Sequence, residues 1–254
     1  MSEQTNWQGK VAIVTGGSSG IGRATALALT DMGANVVITG RDGARLADVA
    51  GKSPAIEVVQ ADSADPAASQ RVVEAAIKRW GKLDLLVNNA GAGKPLPIEA
   101  YDAETLSHIC AVNIVGPSLL LKEAQAALTA TKGAVVNIGT AVSQNAAPGL
   151  AHYAATKAAL EHLTRSWALE LAAHGIRVNA VSPGPVKSGA LTGMMGLPAE
   201  VARSVEETEA AQIPLGRRGD PSDLVSWILR LGSSENEWLT AQVLTIDGGW
   251  SQRS

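Results

Sequence analysis

The amino-acid sequence predicts an α/β protein built on a doubly wound parallel sheet of about seven strands with helices on both faces. Three observations predict it. Short β-branched runs alternate with helical segments, the joints between them are short, and a glycine-rich turn stands between the first strand and the first helix.

The strand candidates are VAIVT (11 to 15), NVVIT (35 to 39), IEVVQA (56 to 61), LDLLVN (83 to 88), AVVNI (134 to 138), IRVNAVS (176 to 182) and QVLTI (242 to 246). They are apolar almost throughout, as strands buried on both faces should be. The helices between them have readable ends. Asp65-Pro66 supplies an N-cap and an N1 proline for a helix that Gly81 closes, Asp220-Pro221 opens another, and Gly33 and Gly175 close two more. Short joints between alternating strands and helices call for parallel strands with right-handed crossovers.

At 254 residues, 46% of them apolar, the chain can bury a substantial core and suits one large domain over 1–254. A net charge of -3, with charges scattered rather than blocked, gives no electrostatic footprint for nucleic acid or an anionic membrane. The single cysteine, Cys110, lies in an apolar helical pattern and has no internal disulfide partner, which fits a reducing compartment. The amino-terminal MSEQTNWQGK lacks the basic and apolar regions of a signal peptide, and no run of about 18 apolar residues occurs. A soluble cytoplasmic protein with no metal site is expected.

The turn TGGSSGIG carries the first functional signal. Thr15, Gly16, Ser18, Ser19, Gly20, Ile21 and Gly22 lead from a strand directly into the helical pattern RATALALTDMG. Glycines there permit a tight turn and close backbone approach, and the helix presents free N–H groups and a positive dipole end to a phosphate. The spacing is GxxxGxG and not the commoner GxGxxG of dinucleotide sites. At the end of the second strand stands Arg41, whose guanidinium suits a ribose 2′-phosphate, where NAD sites place an acid. Asp42 competes as a ribose ligand, but it is also placed to cap the following helix. NADP is therefore the expected cofactor, with NAD second.

Tyr153 and Lys157 stand four residues apart in a helical pattern, so they share one face. A phenol is a weak base at neutral pH. A neighbouring ammonium and a nicotinium ring would both favour the phenolate and lower its pKa toward the working range. The spacing alone also fits a surface tyrosine beside a solvated lysine. Asn113 lies four residues before Pro117 in the helical run ETLSHICAVNIVGPSLLLKEAQ. Proline has no N–H for the carbonyl four back, so the Asn113 carbonyl is released to another donor such as water, or the site is simply a kink.

Five motifs in this order, TGGSSGIG, NNAG at 88 to 91, Asn113, YAATK at 153 to 157 and PGPVKS at 183 to 188, resemble the short-chain dehydrogenase/reductase family over nearly the whole chain. The resemblance implies a Rossmann-type sheet, a homotetramer, and hydride transfer between a nicotinamide and a carbonyl or alcohol carbon. It implies that Tyr153 is the general acid/base and that Lys157 binds the ribose and lowers the tyrosine pKa. It further implies that Asn113 holds a water leading to the lysine and that Asp62 lies near the adenine. Asn89, Ala90 and Gly91 would then lie beside the cofactor. The main chain at Val186 would hold the nicotinamide carboxamide, Pro183 and Gly184 would also bind the cofactor, and Ser188 takes the place of the family's commoner threonine.

One departure concerns the hydroxyl that holds the substrate. The family's NISS reads NIGT here, so Thr140 falls at the serine position and Gly139 replaces the serine before it. Thr140 keeps a donor and acceptor but adds a methyl that restricts χ1. Ser143, three residues on, is the competing hydroxyl.

The segment 187–216 has no clear period and follows a strand's carboxyl end, the edge at which open α/β sheets bind ligands. It is expected to be a substrate lid, with a mobile surface loop as the alternative. Leu191, Met194, Met195, Leu197 and Ile213 give it an apolar character suited to a small, uncharged carbonyl or alcohol substrate. His152 and Gln144 are further candidates for shaping the site. The helix from about 150 to 174 carries Leu160, Leu163, Trp167 and Leu171 on one stripe and alanines elsewhere, which with Trp238 and Trp250 suggests self-association. Two other functions compete: a catalytically weak dinucleotide-sensing regulator, and a halohydrin-dehalogenase-like enzyme without a redox cofactor. Both fit less well with Tyr153, Lys157 and the glycine turn all present.

Overall fold

The computed structural model describes residues 6–252, so the first five residues of the amino-terminal stretch read for a leader lie outside the described residues. Seven parallel strands form one sheet in the order β3-β2-β1-β4-β5-β6-β7. They are β1 (Val11–Thr15), β2 (Asn35–Gly40), β3 (Ile56–Gln60), β4 (Leu85–Asn88), β5 (Ala134–Ile138), β6 (Arg177–Pro183) and β7 (Val243–Ile246). The order reverses at β1, which pairs with β2 on one side and β4 on the other. A crevice therefore opens between the carboxyl ends of β1 and β4, where the chain leaves the sheet in opposite directions.

The helices are α1 (Gly20–Asp31), α2 (Gly43–Ala50), α3 (Ala68–Trp80), α4 (Ala103–Cys110), α5 (Gly116–Thr131), α6 (Ala151–Leu171), α7 (Ala190–Gly193), α8 (Ala199–Gln212) and α9 (Pro221–Gly232). Successive strand residues point to opposite faces. Ala12 and Val14 pack with Leu29 of α1 and Leu224 and Ile228 of α9, whereas Val11 and Ile13 pack with Val72 of α3, Leu120 and Leu128 of α5 and Ala168 of α6. Each face thus carries its own core.

The capping signals act as expected for α9, where the Asp220 N–H donates to the Asp223 carboxylate at 2.8 Å, and Gly33, Gly81 and Gly175 all take positive φ. The Asp65-Pro66 signal is displaced. Asp65 turns the chain by accepting from the Ala67 N–H at 2.9 Å, and α3 begins only at Ala68. Uniformly apolar burial fails at the two edges, since β3 and β7 are half-buried beyond Ile56. An edge strand has a neighbour on one side only.

Residues 187–216, which lack a period, contain α7 and α8. Their pattern is weak because α8 buries only Ala202. Helices α4 and α5 are joined through a π-helical segment over Ala111–Val115, directly before Pro117. The continuous run Ala103–Thr131 is, among the described residues, the one helix long and apolar enough to cross a membrane, with a mean hydropathy of 1.2. Here it is a layer of the fold, with Leu120, Leu121, Ala124 and Leu128 buried on the sheet side.

Candidate active site

The glycine turn fills the crevice at β1. Gly16 and Gly20 both take positive φ, and α1 starts at Gly20 after an extended Ser19, leaving the turn 16–19 at the amino end of the helix. A Cβ at Gly22 would lie 2.4 Å from the Gly16 carbonyl oxygen, so the helix packs on the turn with no room for a side chain. Thr15 and Asn89 staple this turn to β4. The Thr15 hydroxyl accepts from the N–H groups of Asn89 and Ala90, both at 3.0 Å, and Asn89 Nδ2 donates to the Thr15 carbonyl at 2.8 Å and the Gly16 carbonyl at 3.3 Å. Ser18 packs near Gly40, and Ser188 lies so close to Gly20 that a Cβ there would meet Ser188 Cβ at 2.9 Å. The two ends of the expected cofactor track, TGGSSGIG and PGPVKS, are thereby in contact.

Beyond β2, Arg41 is exposed and its carbonyl accepts from Gln60 Nε2 at 2.8 Å. Asp42 is committed elsewhere. It caps α2 by accepting from the Arg45 N–H at 3.1 Å and pairs with the Arg45 guanidinium at 3.2 Å. Asp62 accepts from the Ala64 N–H at 2.9 Å and lines an open recess with Thr15, Ser63, Ala90 and Val112. Thr15 and Asn88, at the carboxyl ends of β1 and β4, line the same recess, next in sequence to the glycine turn and to Asn89.

Tyr153 and Lys157 project from α6 against the loop that follows β4. A Cβ at Gly93 would lie 2.6 Å from the Tyr153 ring, and one at Gly91 would lie 3.4 Å from Lys157 Nζ. Lys157 is buried and donates to the Ile138 carbonyl at 2.8 Å. Burial pushes its pKa from 10.5 down to about 8, opposed by the nearby Glu161 carboxylate. The Thr140 hydroxyl lies near enough to the Tyr153 phenol to lower its pKa. The low phenol pKa expected from the helix spacing is not produced by the protein's own groups. Burial pushes the phenol up, and the Thr140 hydroxyl pulls it only part of the way back.

The two candidate hydroxyls stand in different surroundings. Thr140 is buried at the start of a 3-10 turn over Ala141–Gln144, with its hydroxyl at Tyr153. Ser143 Oγ lies 2.9 Å from both oxygens of Glu161 and 2.6 Å from the Thr140 carbonyl. Asn113 is fully buried in the π-helical segment. Its side chain accepts from the Ala92 N–H at 2.8 Å and donates to the Ala92 carbonyl at 2.8 Å and to Thr156 Oγ1 at 2.9 Å. It thereby ties the loop after β4 to α6.

Glu161 is a buried residue beside the candidate site that sequence reasoning did not single out. It accepts from Ser182 Oγ at 2.5 Å and from the Thr140 N–H at 3.4 Å, besides its contacts with Ser143. The available signal was its place four residues after Lys157, continuing the face that begins at Tyr153. The expected apolar stripe drew attention elsewhere: Leu163 and Trp167 are half-buried, while Thr156, Lys157, Glu161 and Thr164 face inward. Of the other candidates, Gln144 Nε2 bonds Thr245 Oγ1, and His152 packs edge-on against Tyr101 with ring centres 4.5 Å apart.

The PGPVKS segment continues from the end of β6. Pro183 closes the strand, Gly184 N–H donates to the Ile246 carbonyl at 3.0 Å, and Val186 pairs with Gly219. Arg218 anchors this segment to the helices above it. Its buried guanidinium donates to the Val186 carbonyl at 3.0 Å, pairs with Glu209 at 2.9 Å, and also pairs with Glu206 of α8.

A family sequence model described as "Enoyl-(Acyl carrier protein) reductase" matches residues 16–251. The chain is 34% identical over 247 residues to a 3-oxoacyl-[acyl-carrier-protein] reductase of Thermotoga maritima, covering 95% of this chain and 98% of that one. The fold superposes with a TM-score of 0.92 on a short-chain dehydrogenase/reductase of unknown function from Caenorhabditis elegans, crystallised with cofactor, at 34% identity and with 98% and 97% of the two chains covered. The chain belongs to the short-chain dehydrogenase/reductase family. A second member, a 3-ketoacyl-(acyl-carrier-protein) reductase from Brucella melitensis complexed with NADH, superposes with a TM-score of 0.87 at 34% identity over 96% and 99% of the two chains. As a short-chain dehydrogenase/reductase, this protein is an NAD(P)-dependent oxidoreductase of carbonyl and alcohol groups.

Proposed function

We propose that the protein is an NADP(H)-preferring reductase or dehydrogenase that interconverts a small, uncharged ketone or aldehyde and its alcohol, with Tyr153 as general acid/base. The observation that carries this reading is the juxtaposition of the Thr140 hydroxyl, the Tyr153 phenol and the buried Lys157, with Gly91 and Gly93 of the loop after β4 packed against Lys157 and Tyr153. In the direction of reduction, Thr140 holds the carbonyl oxygen and Tyr153 Oη donates its proton to it. Lys157 and the Asn113 segment lie behind the phenol and lead the replacing proton in from solvent. Bound NADPH supplies the hydride.

The glycine turn, with Thr15, Gly16, Ser18, Ser19, Gly20, Ile21 and Gly22, holds the pyrophosphate, and Asp62, Asn89, Ala90 and Gly91 flank the adenosine half. Pro183, Gly184, Val186 and Ser188 face the nicotinamide. Preference for NADP rests on Arg41, exposed at the tip of β2, and on Asp42 being engaged with Arg45. Residues 1–254 form one domain in which 187–216 closes over the substrate. Leu191, Met194, Met195 and Leu197 are half-buried there, free to line an apolar pocket wall on closure.

The protein works as a cytoplasmic homotetramer with no nucleic-acid or membrane partner. Support for assembly comes from large apolar side chains left at the surface: Trp238 and Trp227, together with Leu169 of α6. Sedimentation at micromolar concentration tests the assembly. Nicotinamide oxidation over a ketone and aldehyde panel tests the activity. Tyr153→Phe abolishes turnover, and turnover that survives this change overturns the reading.

A further inference from the structure

A carboxylate buried in a protein interior is costly unless donors surround it. Glu161 is 7% exposed, yet every hydrogen bond described for its carboxylate is with a donor that an ionised carboxylate accepts. Ser182 Oγ stands at 2.5 Å, Ser143 Oγ at 2.9 Å from each oxygen, and the Thr140 N–H at 3.4 Å. The one hydrogen of the Ser143 hydroxyl is shared among the two Glu161 oxygens and the Thr140 carbonyl, so the turn that presents the Thr140 hydroxyl offers at most two donors to the carboxylate, and β6 offers a third. The space for the carboxylate exists because residue 139 has no side chain. A Cβ at Gly139 would lie 2.5 Å from Glu161 Oε1 and 2.6 Å from Ser182 Oγ.

The geometry points to Glu161 as a positioning residue: its carboxylate, seated in the gap left by Gly139, clamps the 140–143 turn to β6 so that the Thr140 hydroxyl stays on Tyr153. The inference rests on the reading of Tyr153 and Thr140 given above. Glu161 bonds neither the phenol nor the hydroxyl of Thr140. It acts on the backbone beneath them, through the Thr140 amide and through Ser143, which also reaches the Thr140 carbonyl at 2.6 Å. An apolar side chain of similar volume would fill the same space without fixing the turn.

Two variants test the inference. Glu161→Gln keeps the shape and removes the charge, and Gly139→Ala keeps Glu161 and pushes its carboxylate out of place. In both, kcat for ketone reduction falls about 10- to 100-fold, less than the 10² to 10³ of deleting a donor outright. Affinity for NADPH, read from its fluorescence, stays within about twofold, because neither variant replaces a residue assigned to hold the cofactor. Amide exchange over residues 139–145 accelerates at least about tenfold while that of residues 11–15 is unchanged. The double variant turns over no more slowly than the worse single one, because both changes act on one contact.

Unchanged kcat in both variants overturns the inference. So does a parallel loss of kcat, cofactor affinity and exchange protection throughout the chain, which makes Glu161 an ordinary stabilising residue, and so does failure of both variants to fold. Exchange over 139–145 does not depend on turnover, so it judges the clamp even where Tyr153→Phe shows the catalytic reading itself to be wrong.

Discussion

Replacing Lys157 by methionine should remove a pH dependence of stability that the lysine imposes on the whole protein. Burial holds the folded Lys157 pKa at about 8, against 10.5 for the free side chain. Between these values the unfolded chain still carries a proton that the folded chain has released, so the unfolded state binds more protons and stability rises with pH. Below about 8 both states are charged, and the folded state bears the full cost of the buried cation. At about 1.4 kcal/mol per unit, the interval corresponds to about 3 kcal/mol, of which roughly 2 to 3 kcal/mol is recovered between pH ~7 and pH ~10.

Methionine also takes the donor away from the Ile138 carbonyl, at a cost of about 1 to 3 kcal/mol, but that loss is the same at both pH values. The quantity to measure is therefore a difference of differences. Urea unfolding of wild type and Lys157→Met, at equal protein concentration and at both pH values, should show the stability of wild type relative to the variant rising by roughly 2 to 3 kcal/mol on going to the alkaline condition. Other titrating groups are common to both proteins and cancel. Stability curves that run parallel across this range would refute the argument, because they would mean that Lys157 titrates as it does in the unfolded chain.

Three further outcomes follow from the site. Thr140→Val should lower kcat by about 10² to 10³ with NADPH affinity near wild type, and Ser143→Ala should lower it much less; equal losses would return the hydroxyl role to Ser143. Arg41→Ala should weaken NADPH binding about 10- to 100-fold and leave NADH binding within about twofold, which titration with each nucleotide would measure. Gly93→Ala introduces a Cβ 2.6 Å from the Tyr153 ring, and a displacement of that size should reduce kcat on the order of 10²-fold while urea unfolding shows the fold intact.

The strands were legible in the sequence because parallel strands flanked by helices are uniformly apolar, and the runs at 11–15 and 134–138 match the observed β1 and β5 residue for residue. The glycine turn was legible because its spacing reports a backbone requirement. Three things were hidden. The sign of the Tyr153 shift depends on how much protein surrounds the phenol, a tertiary quantity that helix spacing does not contain. Helix α8 escaped detection because ion pairs from Glu206 and Glu209 to Arg218 hold it, and not an apolar stripe. Glu161 escaped because Thr156, Lys157, Glu161 and Thr164 share the inward face of α6 with Leu160, Ala168 and Leu171, whereas hydrophobic periodicity marks only the apolar members.

Those polar residues bear on why the site can be placed accurately at all. From Thr156 to Thr164, α6 is referred to its surroundings by specific bonds: Thr156 to Asn113, Lys157 to the Ile138 carbonyl, Glu161 to the 140–143 turn and Ser182, and Thr164 through Asn137 to Asn88. Apolar packing alone tolerates repacking and small slides along a helix axis, because the dispersion attraction given up at one position is regained at the next. Hydrogen bonds do not, since a shift of about 1 Å leaves buried donors and acceptors unpaired. A helix that must hold a phenol within bonding distance of a hydroxyl on another segment therefore gains from being fixed by polar bonds, even though several of them bury groups that an apolar core would avoid. Lys157 is the extreme case: its burial lowers stability at neutral pH, and the fold accepts that loss in exchange for an ammonium one turn from Tyr153.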